Sequence, residues 1–209
     1  MGRSTDDGIR VYPAAVSVLT WMGLPGSAEQ WSSLGFVVDG DAIRVGAVDC
    51  STGREAAWAF DELHADAGAL AVPTQVAARG GGVRGSHPNG VSHIDHVVYT
   101  VPDLDDAVGA LTDVLGAEPR RRFKPRGESG PEMAFYRVGD AFIEVVASGK
   151  PASLMGVAFM CPDLDACVHA IREAGGLIGD PKPAVQGGRI ASVPRDFGLS
   201  FGVAVMDKR

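Results

Sequence analysis

The sequence HVVYTVPDLD at residues 96–105 returns as GVAFMCPDLD at residues 156–165. A constant shift of sixty positions relates the two stretches, and Pro-Asp-Leu-Asp falls in register in both. Self-similarity at a fixed period is typical of a duplicated structural unit. The second half of the chain is therefore predicted to contain two copies of one module.

Each copy begins with a run of apolar residues typical of a strand and continues with apolar residues at helical spacing. Asp103 and Asp163 are suited to cap the N-termini of these helices, and Gly116 and Gly175 to end them. The first copy spans residues 92–150 and the second spans residues 151–209. In each, further apolar runs separated by turn residues follow the helix. We expect two βαβββ modules of the α+β class that form one curved mixed sheet, with the helices outside.

Residues 1–72 contain a fainter third copy, predicted to be a degenerate βαβββ-like module. Arg44-Val45-Gly46 resembles Arg137-Val138-Gly139, and Ser27 followed by Gln30 is typical of a capping box at the start of a helix. Residues 73–91 are rich in Gly, with Pro at both ends, and are predicted to be a linker.

The composition limits the class of function. The net charge of −7, without a concentrated basic patch, argues against nucleic acid and anionic membrane as partners, and leaves a small-molecule ligand as the expected partner. The three cysteines, Cys50, Cys161 and Cys167, form neither a Cys-x-x-Cys pair nor a disulfide framework. Together with the acidic start of the chain, they predict a cytoplasmic protein.

The motifs HIDHV at residues 93–97, FIEVV at residues 142–146 and DFG at residues 196–198 accompany the two helix entries. Together they resemble the vicinal-oxygen-chelate superfamily of glyoxalases, bleomycin-resistance proteins and extradiol dioxygenases. The resemblance covers residues 92–206 well and the first 90 residues weakly. It implies paired βαβββ modules around a cup, but it does not specify an activity, because the superfamily hosts many chemistries.

In metal-dependent members of the superfamily, a first-strand residue and a fourth-strand carboxylate of each module hold a divalent ion. The resemblance places His96 and Glu144 at these positions in the first module, and Gly156 and Gly202 in the second. Half of the site is therefore missing. A divalent metal such as Ni, Zn, Mn or Fe, held by His96 and Glu144, is the one cofactor that the resemblance suggests.

Glu144 stands among apolar residues of a predicted strand, and a buried carboxylate is costly unless it meets a partner. Strand alternation places Glu144 on the face opposite Ile143 and Val145, towards the cup. Its expected counterpart is an arginine, Arg189 or Arg137, or a ligand. If the protein is an enzyme, Glu144 moves a proton next to a carbonyl group and His96 orients or polarises the oxygen.

His96 is equally open to a simpler interpretation, as a hydrogen-bonded residue at a sheet edge. The other residues expected to bind a ligand in the cup are Ile94, Val98, Thr100, Phe142 and Arg189. The last strand places Ser200, Gly202 and Ala204 on the cup side, which leaves volume unless the N-terminal unit fills it.

Three functions remain open on these observations. The first is a glyoxalase-like lyase or isomerase that acts next to a carbonyl group, and the second is a metal-free protein that sequesters a ligand, as resistance proteins do. The third is an assembly scaffold. A homodimer is expected in each case, because three module-like units cannot all pair within one chain.

Overall fold

The computed structural model describes residues 16–80, 85–125, 127, 130–185 and 187–208. Two sheets share one hydrophobic core within these residues. None of the helices in this part of the chain has the length and apolarity needed to cross a membrane.

The N-terminal unit is a five-stranded sheet with the strand order β2-β3-β1-β4-β5. Its elements are β1 (Leu19–Leu24), α1 (Ala28–Ser33), β2 (Ala42–Val45), β3 (Val48–Thr52), β4 (Ala57–Phe60), a 3₁₀ helix (Ala67–Leu70) and β5 (Thr74–Val76). The capping box is present: the amide of Gln30 donates to the Ser27 hydroxyl, and the amide of Ser27 donates to the Gln30 side chain. Strand β1 is parallel to β3, so β1-α1-β2-β3 is a module that lacks one strand.

The predicted boundary between the N-terminal module and the linker, after residue 72, differs from the observed structure. Strand β5 lies inside residues 73–91, which were predicted to be a linker, and pairs with β4. The Gln75 and Val76 positions align with Ala59 and Phe60, so the N-terminal sheet continues past residue 72. Residues 1–15 of the predicted N-terminal module, and residues 81–84 of the predicted linker, lie outside the described residues.

The C-terminal unit contains the two predicted βαβββ modules in one eight-stranded sheet, which confirms the predicted fold class. The first module is β6 (His93–Val101), α2 (Leu104–Leu115), β7 (Arg121–Phe123), β8 (Met133–Val138) and β9 (Ala141–Ala147). The second is β10 (Ser153–Met160), α3 (Leu164–Glu173), β11 (Lys182–Pro183), β12 (Arg189–Ser192) and β13 (Gly202–Asp207). The strand order is β11-β12-β13-β10-β6-β9-β8-β7.

The two modules meet along the antiparallel pair of β6 and β10. Val97 pairs with Val157, and His96 pairs with Ala158, just as Val98 pairs with Gly156. Adding sixty to each residue number of β6 and subtracting sixty from each of β10 gives the same set of pairs. A local two-fold axis therefore passes between Val97 and Val157. Corresponding positions of the modules can therefore be compared directly.

A β-bulge interrupts each of these two strands. The register passes from His96 opposite Ala158 to Ile94 opposite Phe159, so Asp95 is an extra residue in β6. Met155 is the corresponding extra residue in β10. A bulge changes which side of the sheet a residue faces, because two residues on one strand then oppose a single residue on the other.

The N-terminal unit packs on the outer face of the eight-stranded sheet. Phe159 contacts the rings of Trp31 and Phe36 at centroid distances of 6.0 and 5.0 Å. Tyr99 packs 5.3 Å from Trp58 and donates its hydroxyl hydrogen to the carbonyl of Leu70. The N-terminal unit therefore does not fill the cup, and the inner, concave face of the sheet is left open.

Candidate functional site

The concave face encloses a cavity of about 1150 Å³ between the two modules. The first module contributes mainly side chains from β6 to β9, and the second contributes β11, β12 and the end of β13. Residues that line the cavity include Asp95, His96, Arg121, Met133, Phe135, Phe142, Glu144, Lys182, Arg189, Ile190, Met206 and Lys208. A cavity of this size accommodates a small organic molecule.

Glu144 lies in the cavity wall contributed by β9. Its neighbours Ile143 and Val145 are fully buried in the core on the outer side of the sheet, so alternation directs Glu144 and Phe142 to the inner side. The side chain of Glu144 is only 16% exposed. The arrangement brings a carboxylate into a mostly apolar cavity wall.

His96 lies on the adjacent strand β6 and faces the same cavity. Its Nδ1 is 2.8 Å from Oδ2 of Asp95, the preceding residue. Neighbouring residues of a regular strand point to opposite faces, but the bulge at Asp95 brings both side chains to the inner face. The carboxylate fixes Nδ1 as the protonated nitrogen, so Nε2 is the nitrogen directed at the cavity.

Nε2 of His96 and Oε2 of Glu144 are 4.0 Å apart. This distance exceeds that of a hydrogen bond, so no hydrogen bond joins the two groups directly. A ligand atom that approaches this part of the cavity can therefore contact an imidazole nitrogen and a carboxylate oxygen together.

Asp95 is held in its ionised form. Burial acts to raise the pKa of its carboxyl, but the hydrogen bond with His96 and the nearby charge of Lys208 outweigh burial, and the pKa is lowered. The Lys208 ammonium lies 3.4 Å from Oδ1 of Asp95. The Asp95 carboxylate is thus an acceptor for the imidazole.

The cavity includes some of the residues expected to bind a ligand and not others. Phe142 and Arg189 line it, whereas Ile94 faces the outer side of the sheet and is 1% exposed in the core. The expectation for Ile94 is wrong because the bulge reverses the alternation that places it beside His96. Val98 and Thr100 are not among the residues that line the cavity, and the Thr100 hydroxyl donates to the carbonyl of Ser153.

The expectation that an arginine pairs with Glu144 is also wrong for Arg189. Its guanidinium donates to Asp207 and to Asp165, at 2.7 and 2.9 Å. Arg137 instead stacks on the ring of Phe142 at 4.7 Å and donates to the carbonyl of Gly139. The contacts given for the two arginines are thus with groups other than Glu144.

The second module does not complete a metal site. Glu144 is paired with Val98, and the corresponding pair in the second module is Ala158 with Ala204. Ala204, rather than Gly202 as expected from the sequence, therefore corresponds to Glu144. A β-carbon on Gly156, the counterpart of His96, would lie 2.6 Å from the carbonyl oxygen of Gly202. Among the described residues, no group of three or more His, Cys, Asp or Glu side chains could hold a metal, so the donor set does not fit a four-ligand ion.

Four charged residues of the cavity were missed from the sequence: Asp95, Arg121, Lys182 and Lys208. Asp95 was missed because regular alternation places it opposite His96, and Arg121 because it stands in a basic run typical of a solvated cluster. Lys182 and Lys208 carry no local signal that distinguishes them from other surface lysines. Only the pairing of strands from both modules brings these four side chains together.

Comparison with known proteins agrees with this architecture. Residues 95–191 match the family model of the Glyoxalase/Bleomycin resistance protein/Dioxygenase superfamily. A methylmalonyl-CoA epimerase from Mycobacterium tuberculosis superposes with a TM-score of 0.50 at 20% identity, over 57% of this chain and 90% of that chain. A Streptomyces coelicolor methylmalonyl-CoA epimerase variant in complex with 2-nitronate-propionyl-CoA has a TM-score of 0.48 at 18% identity, over 56% and 95%. No curated protein matches the sequence.

Proposed function

Residues 95–191 belong to the Glyoxalase/Bleomycin resistance protein/Dioxygenase superfamily, and on this basis we propose that the cavity binds a small carbonyl compound and moves a proton at the adjacent carbon. The reaction is of the isomerase or lyase type. The observation that carries the proposal is the pair formed by Nε2 of His96 and Oε2 of Glu144, 4.0 Å apart at the cavity wall. The Mycobacterium tuberculosis protein with a similar fold is an epimerase, which supports the proposal.

In the proposed mechanism, the carboxylate of Glu144 accepts a proton from the carbon next to the carbonyl group. The electron pair of that C–H bond passes to the carbonyl oxygen, and His96, when its ring carries a proton on both nitrogens, donates a hydrogen bond from Nε2 to the resulting enolate. Asp95 balances the charge of the imidazolium through Nδ1. Return of a proton to the opposite face of that carbon gives the epimer, whereas departure of a group, with its bonding electrons, from the neighbouring carbon gives a lyase product.

The proposal is tested by proton exchange. Wild-type protein and Glu144→Gln are incubated in D₂O with a panel of methyl ketones and acyl thioesters, and loss of the α-proton signal is followed by NMR. We expect exchange with wild-type protein and a fall of at least about a hundredfold in the variant, since general acid–base groups contribute on this scale. Equal exchange by the two proteins across the panel would contradict the proposal.

Binding of a divalent metal ion is an alternative role for His96 and Glu144. A carboxylate behind a histidine, as Asp95 lies behind His96, is also found behind metal-bound histidines. Two protein ligands fall short of the three or four that Ni, Zn, Mn or Fe sites ordinarily use. Stoichiometric metal in protein purified without chelator would favour this alternative.

Ligand sequestration is the second candidate function. Aromatic and thioether side chains from both modules line much of the cavity, among them Phe135, Phe142, Met133 and Met206. Such a lining can hold an apolar molecule without acting on it. A co-purified organic molecule found by native mass spectrometry, without proton exchange by wild-type protein, would favour sequestration.

We also propose that the protein is a homodimer and that it is located in the cytoplasm. Val76 on the edge strand β5 is 60% exposed, and among the described residues one edge of β5 is not paired. Exposed strand edges are ordinarily covered, and a second copy of the chain would cover this one. Sedimentation velocity at micromolar concentration tests the prediction, and a monomer would contradict it.

A further inference from the structure

The concave face of the second module carries a small apolar cluster, which we call the second-module cluster, formed by Ala158, Met160, Met206, Ile190 and Ala204. It is separate from the main core of the protein. The residues that alternate with its members, such as Val205 between Ala204 and Met206, lie in the main core on the outer side of the sheet. Alternation therefore directs the cluster inward, to the side of the cavity.

The second-module cluster begins beside the proposed reacting groups. Ala158 is the register partner of His96 on the neighbouring strand. From there the cluster extends away from His96 across β13 and β12, where Met206 pairs with Ile190. Both Met206 and Ile190 line the cavity. A ligand held at His96 can therefore continue over this apolar surface.

The cavity is larger than a carbonyl group and its neighbouring carbons require. Its volume of about 1150 Å³ exceeds the roughly 300–1,000 Å³ of ordinary small-molecule sites. His96 and Glu144 form only one part of its wall. A continuous apolar area that faces an open cavity of a protein commonly marks a ligand-binding site. Most of the volume, and the apolar area, are thus available to a part of the ligand that does not react.

The apolar side chains of the first module are less suited to hold this part of the ligand. The guanidinium of Arg137 stacks on the ring of Phe142, and that of Arg121 stacks on the ring of Phe135, each at 4.7 Å. An aliphatic chain placed on these ring faces would compete with the cation–π contacts. In the second-module cluster the apolar side chains instead contact one another. The second module is therefore the wall that suits an aliphatic chain.

We propose that the ligand is a ketone or acyl compound with an aliphatic tail, and that this tail lies on the second-module cluster while the carbonyl group reaches His96 and Glu144. This inference rests on the proposed function, which supplies the reacting end of the ligand. Ile190 and Met206 determine the preference for the tail, because they present the cluster to the cavity. Each methylene group of the tail that is buried against them tightens binding.

The test uses straight-chain methyl ketones, from butanone to nonan-2-one, whose binding to the full chain is measured by calorimetry. Each longer ketone is compared with an ether analogue of the same length, in which an oxygen atom replaces one methylene group of the tail. We expect wild-type protein to bind up to about fourfold more tightly for each added methylene group. It should bind each ether more weakly than the matching ketone, because an ether oxygen loses its hydrogen bonds to water on an apolar surface.

Two matched variants identify the wall that holds the tail. Ile190→Thr keeps a β-branched residue on β12 and removes apolar surface, so the gain for each methylene group should fall to about twofold or less. Met133→Thr is the control, because Met133 also lines the cavity and occupies the related position of the first module. It pairs with Val146 as Ile190 pairs with Met206. This variant should keep the wild-type gain.

Three results with the ketones would each overturn the proposal: affinity that does not depend on tail length in wild-type protein, no binding of any ketone, or equal binding of ketones and ethers. An unchanged gain in Ile190→Thr, or a loss in Met133→Thr as large as that in Ile190→Thr, would also overturn it. Failure of the proposed function is distinguishable, because α-proton exchange is then absent for every ketone although binding still depends on tail length.

Discussion

Asp95 and His96 are consecutive residues whose side chains lie on the same face of a strand and share a hydrogen bond of 2.8 Å. The bulge in β6 makes this possible, because Asp95 is the residue without a partner in the register with β10. The bulge thus supplies the imidazole with a carboxylate that no other strand needs to provide. Bulges are frequently found next to active sites, where they redirect a side chain.

Asp95→Asn is predicted to lower proton exchange about ten- to a hundredfold, the usual cost of losing a partner behind a functional histidine. An amide can still bond to the ring, but it does not balance the imidazolium charge, and it can accept from or donate to Nδ1. The pH dependence of exchange, measured by NMR in D₂O, should also change. Lys208→Met, which removes the more distant neighbour of Asp95, is the control and should have a smaller effect. Exchange by Asp95→Asn at the wild-type rate and with the wild-type pH profile would refute the positioning role.

Glu144→Gln is predicted to keep the fold and to abolish ligand binding or turnover. The substitution preserves the shape of the side chain and removes the charge that faces the cavity. Circular dichroism and thermal unfolding should match those of wild-type protein, whereas α-proton exchange should be lost. Ligand binding and exchange at wild-type levels would contradict the role proposed for Glu144 and would leave the fold assignment unaffected.

Gly156→Ala is predicted to destabilise the protein by about 1–3 kcal/mol, the usual cost of overpacking. The new β-carbon would lie 2.6 Å from the carbonyl oxygen of Gly202, so β10 and β13 would have to separate. Gly109→Ala is the matched control, because Gly109 lies inside α2 and a β-carbon there meets no atom within 4 Å. The control should gain about 0.5–1 kcal/mol. Denaturant unfolding measures both changes, and equal stabilities for the two variants would contradict the prediction.

The segment before β6 is predicted to be sensitive to acid through His87. Nδ1 of this buried histidine accepts the amide hydrogen of Val37, and Nε2 lies 3.0 Å from the carbonyl of Arg44. Burial lowers the pKa of His87, although the bond to Arg44 acts in the opposite direction. A protonated ring cannot accept from Val37, so the neutral form is the one that stabilises the fold.

The unfolded chain therefore binds the proton more readily than the folded chain. Stability from His87 is complete above the unfolded pKa of about 6.5 and falls as the pH drops from there through the lower folded pKa. His87→Gln keeps a donor and an acceptor but does not titrate, so its unfolding free energy should fall less than that of wild-type protein below pH 6.5. His169→Gln, at an exposed position of α3, is the control and should retain the wild-type slope. The same slope in His87→Gln as in wild-type protein would argue against this role.

The sequence predicts the paired modules because the repeat, the helix caps and the alternation of Ile143, Glu144 and Val145 all agree. Alternation fails at Asp95, because the bulge arises in the pairing of β6 with β10, a strand sixty residues away, which the pattern of β6 alone does not specify. The same limit explains why Ile94 was assigned to the wrong face. Arg121 illustrates a different limit, since its place in the cavity wall beside Phe135 follows only from the pairing of β7 with β8.

The local two-fold axis relates two modules that differ in chemistry. His96 and Glu144 belong to the first module, and Gly156 and Ala204 are the related positions of the second. The groups proposed to react and the small residues at the related positions therefore come from different copies of the repeated module. Mutations that enlarge or reduce side chains in the second module can change which molecules fit without disturbing proton transfer, so this half of the chain is free to diversify.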